Sequence, residues 1–127
     1  MPRRPVLTTL CTAVLAAALL HSVGLPAGAA DRSPGEKVTG QPPAATVEET
    51  DQLQFHPTAV EVPRGEAVEW TNAGSAPHNV TFDRYPALTS ETMHHGDRHE
   101  IRFTAPGTYG YRCTFHPGMA GTVTVSG

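Results

Sequence analysis

Four side chains in the C-terminal half of the chain carry the donor atoms that a redox-active metal ion needs. Cys113, His116 and Met119 stand three residues apart in the loop C-T-F-H-P-G-M, and His78 lies in the earlier segment A-P-H-N-V. A thiolate, two imidazoles and a weak thioether match the trigonal copper site that has a long axial methionine bond. Calcium and magnesium would need carboxylates, and structural zinc normally takes a fourth Cys or His. The donor types therefore predict one type 1 copper ion.

Residues 1–30 have the composition of an export signal. Two arginines give a positive start, Leu10–Leu20 is an apolar run, and small residues follow it. Such a segment is removed on export, here after Ala29 or Ala30, and either the general or the twin-arginine route would fit. The run is shorter than the roughly 20 residues that cross a bilayer. We therefore expect an extracytoplasmic protein, periplasmic or secreted, with no stable membrane insertion.

Loss of the signal would remove Cys11 and leave Cys113 as the only cysteine of the mature chain. One thiol cannot form an internal disulfide, and an exposed thiol outside the cytoplasm is readily oxidised. Cys113 is then a metal ligand, a deeply buried thiol or part of an intermolecular disulfide. Because Arg3 and Arg4 would be removed with the signal, the mature chain would contain 12 acidic and 7 basic residues, a net charge near −5. This balance argues against nucleic acid as a partner.

The mature chain changes character at about residue 45. Residues 31–45 are rich in Pro, Gly, Ser and charge, which predicts a flexible leader. Residues 46–127 alternate short β-rich runs with turn residues, as expected for an all-β sandwich. Residues 84–98 have no such pattern and are predicted to be a loop. The predicted strands are 46–55, 59–62, 67–72, 78–83, 100–103, 108–113 and 121–126.

Alternation within these strands predicts which side chains fill the core. Glu61, Glu69, Glu100 and Arg102 would fall on the opposite face. The loop C-T-F-H-P-G-M joins the last two strands and the turn before His78 leads into another, so the four donors would meet at one end of the sandwich. The predicted core residues are Val60, Val62, Val68, Trp70, Val80, Phe82, Ile101, Phe103, Tyr109, Tyr111, Val123 and Val125.

Several motifs resemble those of the plastocyanin- and azurin-like cupredoxin family. The loop C-T-F-H-P-G-M, with two residues on each side of its histidine, is similar to the ligand loop of amicyanin-type blue copper proteins. The segments A-P-H-N-V and V-P-R-G-E-A-V-E-W-T-N resemble the family's first histidine ligand and the strand before it. The resemblance implies a Greek-key cupredoxin sandwich. In it, His78, Cys113 and His116 would be the strong copper ligands and Met119 the axial one.

The same resemblance implies a function and its accessory residues. A hydrogen bond between Asn79 and Thr114 would tie the two ligand segments together. Single electrons would pass between extracytoplasmic redox proteins through the outer edge of His116 on a monomeric protein. Arg112 stands where plastocyanin-like proteins often carry an aromatic residue, so a second electron port is not expected. The apolar patch around His116 would consist of Ala76, Pro77, Phe115, Pro117 and Gly118.

Three alternative functions can be compared with electron transfer: copper transport, adhesion and catalysis. A copper carrier or buffer is the main alternative, because Met93, His94, His95 and His99 form a cluster that is either a second metal site or a solvated loop. A cupredoxin used only for adhesion would not need the intact ligand set. An enzyme is not expected, because the chain lacks the second loop cysteine of a binuclear copper centre, the H-x-H pairs of multicopper oxidases and the known hydrolase motifs.

Overall fold

The computed structural model describes residues 32–127, so the predicted export signal lies outside the described residues. The described part consists of eight strands and one short 3₁₀ helix, Pro86–Leu88. The strands are β1 Gly35–Val38, β2 Ala45–Glu49, β3 Phe55–His56, β4 Ala59–Pro63, β5 Ala67–Asn72, β6 Arg98–Phe103, β7 Gly107–Arg112 and β8 Ala120–Ser126.

These strands form two sheets, which confirms the predicted all-β sandwich. One sheet has the order β1-β6-β5-β2-β3 and the other the order β4-β8-β7. The pairs β2–β5 and β4–β8 are parallel, whereas the remaining pairs are antiparallel. The chain changes sheet three times, between β3 and β4, between β4 and β5, and between β6 and β7. Arg112, at the end of β7, pairs with Ala120, at the start of β8, so the loop between them begins and ends at the same end of the sandwich.

The predicted core is buried almost as expected. Trp70 lies at its centre and makes edge-to-face contacts with Phe82 and Tyr111, at centroid distances of 6.0 and 5.3 Å. Val60 is only half-buried. Glu69 lies outside the hydrophobic core cluster, as predicted, but it is largely buried, and its carboxylate lies 3.5 Å from the Arg98 guanidinium. The predicted side is therefore correct, and the burial of Glu69 reflects its position on a central strand, between β6 and β2.

The predicted flexible leader needs a correction. Gly35–Val38 forms strand β1, which pairs antiparallel with β6 at the edge of the larger sheet. The Pro34 carbonyl extends this pairing by accepting a hydrogen bond of 2.8 Å from the Thr104 amide. An edge strand of this kind is held by backbone hydrogen bonds and needs no alternating apolar pattern. The composition of residues 31–45 therefore gave no sign of it.

Two predicted strands also differ in the structure. Residues 46–55 are divided by a turn at Thr50–Gln54, in which Leu53 has a φ of 58°. Residues 78–83 form only two isolated bridges, to Met93 and Arg112. The amides of Val80 and Phe82 are bonded to the hydroxyls of Ser90 and Thr89. Side-chain oxygens thus replace a neighbouring strand along this segment.

Candidate metal centre

The loop between β7 and β8 is closed by its own backbone. The Cys113 amide donates to the Met119 carbonyl at 2.9 Å, and the Met119 amide donates to the His116 carbonyl at 3.2 Å. Gly118 has a φ of 82°, a conformation that suits glycine in this tight turn. The loop therefore holds Cys113 and Met119 as neighbours at its base while His116 stands at its tip.

His78 reaches the same end of the sandwich from a separate segment. Its amide and carbonyl are both bonded to the backbone of Met93, at 3.0 and 2.8 Å. Asn72, at the end of β5, is fully buried, and its side-chain amide donates to the carbonyls of Ala76 and Met93. Sequence reasoning missed Asn72, although an Asn directly before the turn A-G-S-A-P is a recognisable turn residue. It fixes the turn that aims His78 inward.

The structure brings three of the predicted ligands together. The Cys113 sulfur lies 3.5 Å from Nδ1 of His116 and 3.9 Å from Nδ1 of His78. The donor atoms of these three residues all lie within 4.8 Å of one another. Donors that are each about 2 Å from one ion in a trigonal plane are separated by about 3.5 Å. The geometry thus fits a single ion among two imidazole nitrogens and one thiolate.

The fourth predicted ligand, Met119, is buried beside this group. Only 2% of its surface is exposed, and it lines the same cavity as Cys113 and His116. A buried thioether next to a thiolate and two imidazoles is the donor set that copper proteins use for both oxidation states. The residues present therefore fit the copper ion that the sequence predicts.

The electrostatics of His78 favour metal binding. Burial lowers the pKa of His78, and the nearby His116 ring lowers it further. The Thr50 carbonyl and the charge of Asp51 raise this pKa and so partly oppose the lowering. Nε2 of His78 nevertheless makes no well-formed hydrogen bond within residues 32–127. A ligand imidazole must be neutral at the nitrogen that faces the metal. The lowered pKa of His78 favours the neutral imidazole that metal binding requires.

The predicted tie between the two ligand segments is confirmed. The Asn79 side chain donates to the Thr114 hydroxyl at 2.6 Å and accepts a bond of 2.9 Å from the Thr114 amide. These residues directly follow His78 and Cys113, so the tie fixes the spacing of two proposed donors. A further link, not predicted from the sequence, is the pair of hydrogen bonds from Arg112 to Asp83, at 2.7 and 3.0 Å.

The second histidine cluster is not assembled as a metal site. His95 Nδ1 contacts the Gly74 carbonyl at 3.0 Å, and His99 Nε2 contacts the Leu88 carbonyl at 2.8 Å. Met93 is part of the hydrophobic core. Among residues 32–127, the only group of three or more His, Cys, Asp or Glu side chains with metal-binding spacing is the one around Cys113. The solvated-loop interpretation fits His94 and His95, which are exposed, whereas Met93 is buried and His99 lies on β6.

Two other expectations concern Cys113 and the membrane. The Cys113 thiol is free and buried, with 3% of its residue surface exposed, so it is shielded from the intermolecular disulfide considered above. Within the described range, no helix has the length and hydropathy that crossing a bilayer requires.

Comparison with known proteins places the fold and the donors in one family. Residues 43–126 match the copper binding proteins of the plastocyanin/azurin family. Amicyanin-alpha of Methylorubrum extorquens is 34% identical over 120 residues, which cover 91% of this chain and 97% of the relative. Plastocyanin of Scenedesmus fuscus is 38% identical over 85 residues, 58% of this chain and 87% of the relative.

Solved structures give the same result. A purple cupredoxin from Nitrosopumilus maritimus has a TM-score of 0.60 and 33% identity, over 65% of this chain and 99% of its own. A reduced amicyanin variant has a TM-score of 0.59 and 34% identity, over 65% and 82% of the two chains. The family match spans β2 to β8 entirely and includes all four predicted ligands. This chain therefore belongs to the copper-binding plastocyanin/azurin family, the cupredoxins.

Proposed function

We propose that His78, Cys113, His116 and Met119 bind one type 1 copper ion and that the protein transfers single electrons between extracytoplasmic redox proteins. The observation that carries this proposal is the convergence of three donor atoms within 4.8 Å beside a buried Met119. Bound copper would supply a one-electron couple between its divalent and monovalent states. Membership of the cupredoxin family supports the same assignment.

The protein's contribution is to hold the donors in one arrangement. The Asn79–Thr114 hydrogen bonds link the two ligand segments, and the Met93 backbone pairs with His78 on its other side. Donors fixed before the electron arrives need little rearrangement when the charge of the site changes. Electron exchange would then cost little reorganisation energy, as a carrier requires.

We further propose that His116 is the electron port. It is half-buried, whereas His78 is fully buried, so only the His116 ring reaches the surface. Phe115 beside it is 45% exposed, and Leu53 in the neighbouring turn is 42% exposed. Leu53 was not part of the predicted patch, and its exposure enlarges the apolar area at this end. A small apolar patch suits brief and weak docking of a redox protein.

A second port at Arg112 has no support. The guanidinium of Arg112 is bonded to Asp83 by two hydrogen bonds, and an ion pair offers no aromatic route from Cys113 to the surface. The copper-carrier alternative is also weakened, because its sequence support was a second histidine site, and the donors of that segment do not converge as a group within residues 32–127.

A copper titration followed by redox cycling tests the proposal. The wild type should bind one equivalent of copper, turn intensely blue through sulfur-to-copper charge transfer, and keep the metal through repeated one-electron cycles. Cys113→Ala should abolish the colour. Full copper occupancy without colour would contradict the type 1 assignment. Rapid loss of monovalent copper to a chelator on each reduction would instead favour the carrier function.

A further inference from the structure

Glu49, at the end of β2, is an acidic side chain buried without a counter-charge. None of its surface is exposed, and neither carboxyl oxygen has a hydrogen-bond partner within residues 32–127. The other buried acid, Glu69, differs because it lies 3.5 Å from Arg98. The residues that pair with Glu49 on the two neighbouring strands, Phe55 and Asn72, are uncharged. A carboxylate in such a place is costly to ionise.

Two more buried polar groups without partners lie in the same part of the core. They are the Tyr111 hydroxyl and Nε1 of Trp70, whose rings meet edge to face at 5.3 Å. Burial raises the pKa of Tyr111 to about 12, the Trp70 side chain acts against this, and the charge of Glu49 adds to it. We call Glu49, Trp70 and Tyr111 the Glu49 cluster. Tyr111 is its second titratable member and stays protonated at neutral pH.

The Glu49 cluster lies at the end of the core that carries the metal centre. Tyr111 lies on β7, two residues before Cys113, which follows the end of that strand. The Glu49 carbonyl accepts hydrogen bonds from the amides of Ala73 and Gly74, in the turn that leads to His78. Two other acids are close to Glu49 along the chain: Glu48 is exposed, and Asp51 is exposed and bonded to Ser75. A change of charge at the centre therefore acts on Glu49 through the protein interior, where screening is weak.

We propose that Glu49 is an internal proton acceptor whose carboxylate takes up one proton each time the metal centre is reduced. This inference rests on the proposed function, since a redox partner must supply the electron. The proton comes from solvent and forms an O–H bond on the Glu49 carboxyl. Oxidation returns the electron to a partner and the proton to solvent. Charge in the core then changes less than it would on electron transfer alone.

The protonation equilibrium of Glu49 lies in the range where such coupling is effective. Burial raises its pKa to about 7. An added electron makes the centre more negative and so favours the protonated carboxyl, whereas its removal favours the carboxylate. Between the two resulting pKa values, the redox equilibrium constant should change by up to tenfold per pH unit.

The reduction potential measured against pH tests the inference. Wild-type protein should become harder to reduce as pH rises through the neutral range. Glu49→Gln, which keeps the shape but cannot titrate, should remove this dependence. Glu48→Gln is the matched control, because Glu48 is the adjacent residue on β2 and is exposed. A wild-type potential that does not change with pH, or a pH dependence that persists in Glu49→Gln, would overturn the inference.

A second readout needs no variant and separates the two proposals. Redox-difference infrared spectra of the wild type should show a carboxylic-acid C=O band on reduction, and NMR of the metal-free chain should show a glutamate titrating near neutral pH. Their absence would overturn the inference even if Glu49→Gln failed to fold. A blue protein with a reversible couple but neither signal would contradict proton uptake alone. A colourless copper-loaded protein would contradict the proposed function itself.

Discussion

The protein has two regions rich in histidine and methionine, and only one of them is arranged as a metal centre. In the first, Nδ1 of His78 and Nδ1 of His116 face the Cys113 sulfur at 3.9 and 3.5 Å. In the second, ring nitrogens of His95 and His99 lie against backbone carbonyls. The difference teaches that donor type alone does not make a site. The donors must converge, as they do around Cys113 and, among residues 32–127, at no second group of His, Cys, Asp or Glu side chains.

The largest difference between the two regions is expected from Cys113→Ala, which removes the sulfur donor of the first region. Removing the thiolate should abolish the blue colour and lower copper affinity by orders of magnitude, because the remaining imidazoles and thioether are weaker ligands. Copper titration with visible absorption checks this result. His95→Ala is the matched control in the second region and should leave both stoichiometry and colour unchanged. A loss of bound copper in that control would contradict the distinction.

A smaller effect is expected from Asn79→Ala, which removes the tie to Thr114. Losing a partner that orients metal ligands typically costs about 10- to 100-fold in metal affinity. Competition with a chelator of known affinity measures the change. Thr108→Ala, on the exposed part of β7 far along the strand from the ligand loop, should bind copper like the wild type. Equal affinities for both variants would show that the tie does not position the donors.

Most of the metal-centre geometry could be predicted from the sequence. The donor types and the spacing within C-T-F-H-P-G-M were enough to predict the centre, because one short loop fixes most of its geometry. The alternation of apolar residues likewise predicted β4 to β8, and it matches the buried faces of β7 and β8 most closely. Such features are local, so a single sequence contains them.

Features that depend on contacts distant in sequence were not predictable in the same way. Strand β1 exists because β6 offers a free edge, and nothing in G-E-K-V indicates this. Segment 78–83 carries a strand-like pattern, but hydroxyls of the loop that follows occupy its amides. The burial of Glu49 likewise depends on which strands flank it. Each case requires knowledge of the neighbouring chain segments.

In the second region, His99 should make the stability of the folded protein depend on pH. Burial lowers the pKa of His99, the Leu88 carbonyl opposes this, Lys37 lowers it further and Glu100 opposes it. A histidine whose folded pKa is depressed binds its proton more readily when unfolded, so stability is lost as pH falls below about 6.5. In metal-free protein, His99→Gln should therefore weaken the acid destabilisation.

Denaturant unfolding at several pH values measures this effect. His94→Gln is the control, because His94 is exposed in the loop before β6 and its substitution should leave the pH dependence intact. The same acid destabilisation in wild type and His99→Gln would show that His99 is not the group responsible.

The smallest expected effect concerns the surface at the metal-centre end. Phe115→Ser should slow electron self-exchange several-fold, because two copies docking through the proposed port lose apolar contact area. The line broadening of NMR signals in mixtures of oxidised and reduced protein gives the rate. His94→Ser changes exposed surface in the second region and should leave the rate unchanged. Equal slowing by both variants would argue against a port at His116.

X-ray absorption at the copper edge tests the central claim most directly, since it reports the atoms bound to the metal. The account predicts one short copper–sulfur bond and two copper–nitrogen bonds in the wild type, with the short sulfur contribution lost in Cys113→Ala. A copper-loaded wild type whose nearest neighbours are only nitrogen and oxygen atoms would contradict the assignment of His78, Cys113 and His116 as the strong ligands.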